Sequence, residues 1–386
     1  MQPVIGCDAH KHYSVFVQIN EEGKASAPVR VEHDRERFRE YLDSLAAASD
    51  IAVESTGHWY WLVDEMEASG HHPHLAEPLE AKKRMGKTHK TDALDAKGLA
   101  ILLRNGTLPE VWVPPAGIRD KRELLRTRMA LRDVRTMLKH RIHSALERYG
   151  IFCPGVSDLF GVAGREVLAD AMKSLPPFTR EMLDRQLETF DLIGTELELI
   201  EARIEQVIQS DPTVKRLQTM PGVGKILGPV IALEIGDVHR FACAERLASY
   251  CGLVPRVFSS GGHTRLGGTS RFVNLYLKWA FVEAANCAVR LRGPEYRHVR
   301  ELFQRLQPGK GHGRAAVAVA RHLAEAAYWM LTKQQNYRPP QPVRSAAAVT
   351  AEQTRKSPPP GAKASVRFAQ QSSSTNGSAR DTSGIR

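Results

Sequence analysis

The chain has 386 residues, 42% of them hydrophobic, enough for buried cores and two or three domains. No apolar run reaches the length of a membrane span, and the stretch Met1-Gln2-Pro3-Val4-Ile5-Gly6-Cys7-Asp8 lacks the basic and apolar regions of a signal peptide, so a cytoplasmic protein is expected. A net charge of +11 favours a polyanionic partner, nucleic acid first, and five scattered cysteines without a C-x-x-C pair argue against zinc and against a disulfide framework.

In chain order, Val4 to Asp8 reads as a short apolar strand ending in an acid. Residues 13–19 alternate as a second strand, Glu21-Glu22-Gly23-Lys24 forms a hairpin turn, and a third strand follows near 27–31. Asp34 can cap a helix reaching about residue 48, with Phe38, Leu42 and Leu45 on its inner face. Ile51-Ala52-Val53-Glu54 is a fourth strand, again ending in an acid; a helix over 59–68 and a strand near 74–76 come next. Lys90-Thr91-Asp92-Ala93-Leu94-Asp95-Ala96 then opens a helix with Thr91 as N-cap.

A three-strand meander followed by alternating helix and strand is the order of an α/β RNase H-like (resolvase-like, RuvC-like) domain. In that arrangement Asp8 ends the central strand and Glu54 ends its neighbour. Asp92 and Asp95 share one face of a helix's first turn, which brings them to the same sheet edge. Four carboxylates gathered there repel one another unless cations intervene. An all-oxygen set suits Mg²⁺, or Mn²⁺, rather than zinc. Taken singly, each acid reads equally well as a turn residue or a solvated first-turn acid. His10, His12, His58, His71, His72, His74 and His89 cluster in this region; such residues are more often exposed or phosphate-facing than metal ligands.

Val111-Trp112-Val113-Pro114-Pro115 closes the domain, and one long helix is expected over 118–149. Its basic side chains, among them Arg126, Arg135 and Lys139, suit a DNA or RNA backbone. A loop-rich connection over 150–177 leads to an acidic helix over 180–209, which complements the basic one in charge; an antiparallel coiled-coil arm or a dimerising arm is expected from that pairing. Met220-Pro221-Gly222-Val223-Gly224-Lys225 between two helices reads as a helix-hairpin-helix, with Gly222, Gly224 and Lys225 placed for phosphate contact. Residues 254–271 form a glycine-, serine- and arginine-rich loop, including Arg265 and Arg271, ahead of an apolar helix over 272–290. No Ser-His-Asp order is visible near it, so from the residues alone its serines read as ordinary loop serines. A helix over 313–332 completes the core, and a Pro-, Ser- and Gln-rich tail should be disordered.

Gly6-Cys7-Asp8-Ala9-His10-Lys11, Glu54-Ser55-Thr56-Gly57, Lys90-Thr91-Asp92-Ala93-Leu94-Asp95-Ala96, Met220-Pro221-Gly222-Val223-Gly224, Glu234-Ile235-Gly236-Asp237 and Ser259-Ser260-Gly261-Gly262 occur in this order. The chain thereby resembles, over about residues 3–332, the DEDD transposases of the insertion-sequence "one-ten" group, the bridge-RNA-guided serine recombinases. The resemblance implies that Asp8, Glu54, Asp92 and Asp95 bind metal, and that Ser260, with Ser259 as rival, takes the DNA phosphate into a covalent link and frees a 3′-hydroxyl. It implies double-stranded donor and target DNA, a structured guide RNA, and a homo-oligomer, dimer or tetramer. The expected division is an RNase H-like domain at 1–115, a helical arm at 116–210, a mostly α C-terminal transposase domain at 211–335 and a tail at 336–386. Lys90 is expected to touch nucleic acid alongside the basic residues already named. One departure is Val273-Asn274-Leu275-Tyr276-Leu277-Lys278, where the family often has Gly-Asn-x-x-Leu-Arg. Lysine at 278 lacks arginine's bidentate grip. A resolvase-like endonuclease using water and a non-catalytic nucleic-acid binder are the competing classes.

Overall fold

The computed structural model describes residues 3–86, 91–208, 210–270 and 273–340. The tail beyond 340, Lys90 and Arg271 lie outside the described residues.

The N-terminal part runs β1 (Val4–Ala9), β2 (Tyr13–Ile19), β3 (Val29–Glu32), α1 (Arg35–Asp43), β4 (Asp50–Glu54), α2 (Trp59–Ala68), β5 (His72–Ala76), α3 (Pro78–Met85) and α4 (Asp92–Arg104). The five strands form one sheet in the order β3-β2-β1-β4-β5. β1 pairs antiparallel with β2 and parallel with β4, and β4 pairs parallel with β5.

Alternation along the strands sorts the two faces. Ile5, Cys7, Ile51 and Val53 point to one side, where Phe38 and Leu42 of α1 and Leu62, Val63 and Met66 of α2 cover them. Gly6 and Ala52 point to the other, where α4 packs. Asp34 caps α1 as expected, accepting from the Glu36 and Arg37 N–H groups. Thr91 caps α4, accepting from the Leu94 N–H. The short α3, not anticipated from the sequence, is started by Glu77 and Pro78 and ended by Gly86 in the left-handed conformation.

The remainder is almost wholly helical: α5 (Ala116–Arg148), α6 (Val162–Met172), α7 (Pro177–Ile208), α8 (Pro212–Leu217), α9 (Leu227–Ile235) and α10 (Ala244–Tyr250), then strands β6 (Pro255–Ser260) and β7 (His263–Thr269), then α11 (Leu275–Ala288), α12 (Arg297–Lys310) and α13 (His312–Thr332). The long helices α5 and α7 run antiparallel. Ile142 shares a cluster with Leu183 near one end, Leu138 with Phe190 further along, and Leu125 and Met129 with Ile204 and Ile208 near the other. Those last four belong to the core built by α8 to α13, so both long helices are rooted in it. α13 contributes Ala315, Ala316, Ala320, Ala324 and Ala327, small residues that let its neighbours approach closely. The stretch read as a loop over 254–271 is a two-stranded antiparallel ribbon. No helix among the described residues is long and apolar enough to cross a membrane.

Candidate active site

Strand parity builds the acidic cluster. Asp8 lies two residues beyond Gly6 and Glu54 two beyond Ala52, so both acids fall on the α4 side of the sheet. Gly6 lets α4 come down onto β1, because any side chain there would run into the Ala96 carbonyl. The first turn of α4, with Asp92 and Asp95, is thereby held over the end of β1. Glu54 is the last residue of β4, and the β1–β4 register ends with Cys7 opposite Val53, one residue before the two acids.

The structure brings Asp8 and Asp92 together around an imidazole. His10 Nε2 lies 3.1 Å from Asp8 Oδ2 and 3.3 Å from Asp92 Oδ2. Ligand atoms of Asp8, His10 and Asp92 all fall within 4.8 Å of one another, close enough to share one ion. Tyr13 donates its hydroxyl to Asp92 Oδ2 at 3.0 Å, stacks on His10 with ring centroids 4.8 Å apart, and has the Arg30 guanidinium over its ring, 3.6 Å from the centroid. Burial raises the pKa of Asp8 above the ordinary carboxylate range; His10 opposes the rise, while Asp95 and Asp92 add to it. Asp95 therefore belongs to the same electrostatic cluster. The loop after Glu54 turns tightly, Thr56 N–H donating to the Glu54 carbonyl at 2.8 Å. The Thr56 hydroxyl is buried with no hydrogen-bond partner among the described residues. Mutually repelling carboxylates and one imidazole within reach of a single ion fit a hard divalent cation. His10 was not singled out in the sequence as a ligand. The signal was its place two residues after Asp8, on the same side of an extended chain.

Ser260 lies elsewhere, at the end of β6 and opposite His263. Gly261 and Gly262 make the turn with φ of +56° and +80°, left-handed values that suit a two-residue hairpin. Ser260 is exposed, and among the described residues no hydrogen bond joins it to Asp8, Asp92 or Asp95. Ser259 Oγ sits 3.4 Å from Thr264 Oγ1 across the ribbon. Lys278 Nζ donates to Thr269 Oγ1 at 2.8 Å, so the residue that departs from the family pattern braces the ribbon's base.

The basic residues are placed unevenly. Arg126 is bound to Glu234, and Arg135 lies over the Phe190 ring beside Gly194. Lys139 pairs with Asp158 at 3.3 Å. These three side chains have partners within the protein. Gly222 has φ +76°, and a Cβ there would fall 2.0 Å from the Ala284 carbonyl oxygen, so close packing on α11 requires the glycine. Gly224 is exposed with open space around it, Lys225 pairs with Glu205 at 2.6 Å on the surface, and Arg265 is exposed on the ribbon.

Comparison with known proteins places this chain in a class. A DEDD transposase model of the IS110 type matches residues 5–151, and the model of the transposase IS116/IS110/IS902 family matches residues 214–300. Similar proteins include a probable family 20 transposase of Pseudomonas aeruginosa, 26% identical over 87% of this chain and 95% of that protein. The transposase for insertion sequence element IS1111A of Coxiella burnetii is 26% identical over 87% of this chain and 91% of its own length. The transposase for insertion sequence element IS1328 of Yersinia enterocolitica is 27% identical over 74% and 84%. An acid-bearing α/β sheet joined to a helical C-terminal part is thus that of a DNA transposase. The chain belongs to the DEDD transposases of the IS110 family, enzymes of insertion-sequence transposition.

Proposed function

We propose that this transposase breaks and rejoins DNA strands through a phosphoserine link on Ser260, at a Mg²⁺ site (Mn²⁺ also fitting) held by Asp8, Glu54, Asp92 and Asp95 in an RNase H-like domain over 1–115. The observation that carries the proposal is the meeting of Asp8 and Asp92 about His10 Nε2, at the end of the central strand. The strand order β3-β2-β1-β4-β5, with β2 antiparallel, supports the RNase H-like assignment.

Bound divalent ions would polarise the scissile phosphate and steady charge on the attacking and leaving oxygens. The chain's own groups do the rest. Tyr13 fixes Asp92 through its hydroxyl bond, and α4 keeps Asp92 and Asp95 over Asp8. The ribbon presents Ser260 at its exposed turn. Its Oγ attacks phosphorus and loses a proton, the phosphorus–O3′ bond breaks, and the leaving oxygen gains a proton as a free 3′-hydroxyl. One phosphoester bond replaces another, so no nucleotide hydrolysis is needed. Attack by a 3′-hydroxyl from a second strand on the phosphoserine reverses these events and releases Ser260. In a homo-oligomer, dimer or tetramer, the ribbon of one protomer serves the acids of another on bound DNA. A structured guide RNA lies along α5 and α7, where Arg141 and Arg148 line an open groove. Arg265, Gly224 and Lys225, together with Lys90 and Arg271, contact phosphates.

The test is denaturant-resistant trapping on a nicked DNA substrate with Mg²⁺. A protein–DNA adduct that disappears in Ser260→Ala is the expected result. Free 5′-phosphate ends without an adduct would instead identify a water-using endonuclease. Full element excision by Asp92→Asn would identify a non-catalytic binder.

A further inference from the structure

The chain leaves the ribbon and re-enters the body of the protein at Asn274. Its side-chain oxygen accepts the Leu277 N–H at 3.0 Å and caps α11. Its amide nitrogen faces the other way, donating to Glu234 Oε2 at 2.8 Å and to the Tyr250 hydroxyl at 3.3 Å. The cap settles which end of the amide is which, since a flip would lose these bonds together. The entry side is fastened to the same place. Asn274 N–H donates to the Tyr250 carbonyl at 3.0 Å, and Val273 packs so tightly on Gly252 that a Cβ there would fall 2.6 Å from it.

Glu234, in the last turn of α9, is 2% exposed. While Oε2 takes Asn274, Oε1 takes Nε and Nη2 of Arg126 at 3.1 and 2.9 Å. Arg122 Nε stands 3.4 Å from Oε2, and the same guanidinium donates to the Leu233 and Glu234 carbonyls at the end of α9. Both arginines belong to α5. One turn nearer the start of α5, Arg119 is bound to Asp64 and to the Tyr60 carbonyl of α2. One carboxylate therefore stands between the helix anchored to the acid-bearing part and the foot of the ribbon. Apolar side chains could fill that space as stably as a buried ion pair; what the pair adds is a fixed geometry.

We infer that Glu234 is a positioning residue for strand cleavage: by bridging Arg126 and Asn274 it locks the Ser260 ribbon to α5. This inference rests on the assignment of Ser260 as nucleophile. Loss of the bridge loosens the ribbon from its foot, so its strands open more often and Ser260 meets the phosphate less often.

Asn274→Ser tests it in the full-length protein, because serine keeps an N-cap oxygen for Leu277 and removes the amide nitrogen. Three quantities are measured well below the variant's melting temperature: hydrogen exchange of the β6 and β7 amides, DNA affinity, and the single-turnover rate of adduct formation on nicked DNA. Exchange is expected to quicken and the adduct rate to fall by about tenfold, the scale of a lost hydrogen bond to a charged group, with DNA affinity unchanged. Glu234→Gln, which keeps the Asn274 cap intact, should likewise quicken exchange and slow adduct formation while leaving DNA affinity unchanged. Wild-type exchange, or wild-type adduct formation by folded Asn274→Ser, would overturn the inference. An adduct that persists in Ser260→Ala would overturn the nucleophile assignment instead, and ribbon exchange alone would then decide whether Glu234 holds the ribbon.

Discussion

Gly6 of β1 lies directly beneath Ala96 of α4, so near that a side-chain carbon at Gly6 would fall 1.9 Å from the Ala96 carbonyl oxygen. That approach is what sets the first turn of α4 above Asp8. Gly6→Ala should cost about 1–3 kcal/mol through overpacking and should lift Asp92 away from His10. Urea unfolding reads the stability, and divalent-ion affinity reads the displacement. Gly117→Ala, with open space around it near the start of α5, serves as control and should not destabilise.

The ribbon's turn makes a second demand on glycine. Gly261 at φ +56° should accept asparagine with little loss, whereas Gly261→Val should cost about 1–2 kcal/mol locally and abolish adduct formation. Valine that supports wild-type cleavage would mean the turn's conformation does not govern the placement of Ser260.

His74 gives a pH dependence. Its ring binds Asp50 at 3.1 Å and Glu110 more closely, tying β5 to the strand beside it and to the chain leaving the sheet. Burial works against the charged ring, but the bonds and charges of Glu110 and Asp50 outweigh it and raise the pKa. A histidine raised in the folded state stabilises fully below its unfolded pKa of about 6.5 and loses that contribution as pH rises through the folded value. Wild-type protein should therefore lose its stability advantage over His74→Gln between mildly acid and alkaline pH, as read from urea midpoints. Parallel midpoints for the two proteins across that range would refute the assignment.

Two arginines should separate structure from nucleic-acid contact. Arg126→Ala leaves buried Glu234 poorly compensated, at a cost of about 3 kcal/mol, while the salt slope of DNA binding stays unchanged. Arg265→Ala on the exposed ribbon should leave stability unchanged and reduce the slope by about one. Binding titrations over a range of salt concentrations, beside urea unfolding, distinguish the two.

Much of the site was legible because it follows from strand alternation. Gly6 with Asp8 and Ala52 with Glu54 share a parity that apolar Ile5, Cys7, Ile51 and Val53 betray, and Thr91 marks the start of the helix carrying Asp92 and Asp95. His10 was harder to place, because its position depends on how β1 turns into β2 and on α4 arriving from far along the chain. The ribbon was read as a loop since neither of its faces is buried: with no core to contact, Val257, Phe258 and Leu266 carry no alternating pattern. Glu234 stood out only as part of a motif, because its partner Arg126 lies 108 residues earlier. The partners of the basic residues of α5 were hidden for a related reason. Charge on a helix does not reveal whether a carboxylate such as Glu234, Glu201 or Asp158 will fold back to meet it.

The central claim is that acids from separate segments share a divalent ion. Electron paramagnetic resonance of Mn²⁺ titrated into DNA-free protein tests it most directly. Wild-type protein should bind Mn²⁺ and give up the site to excess Mg²⁺, and Asp8→Asn and Asp92→Asn should each abolish that binding while remaining folded. Undiminished Mn²⁺ binding by both folded variants would contradict the account.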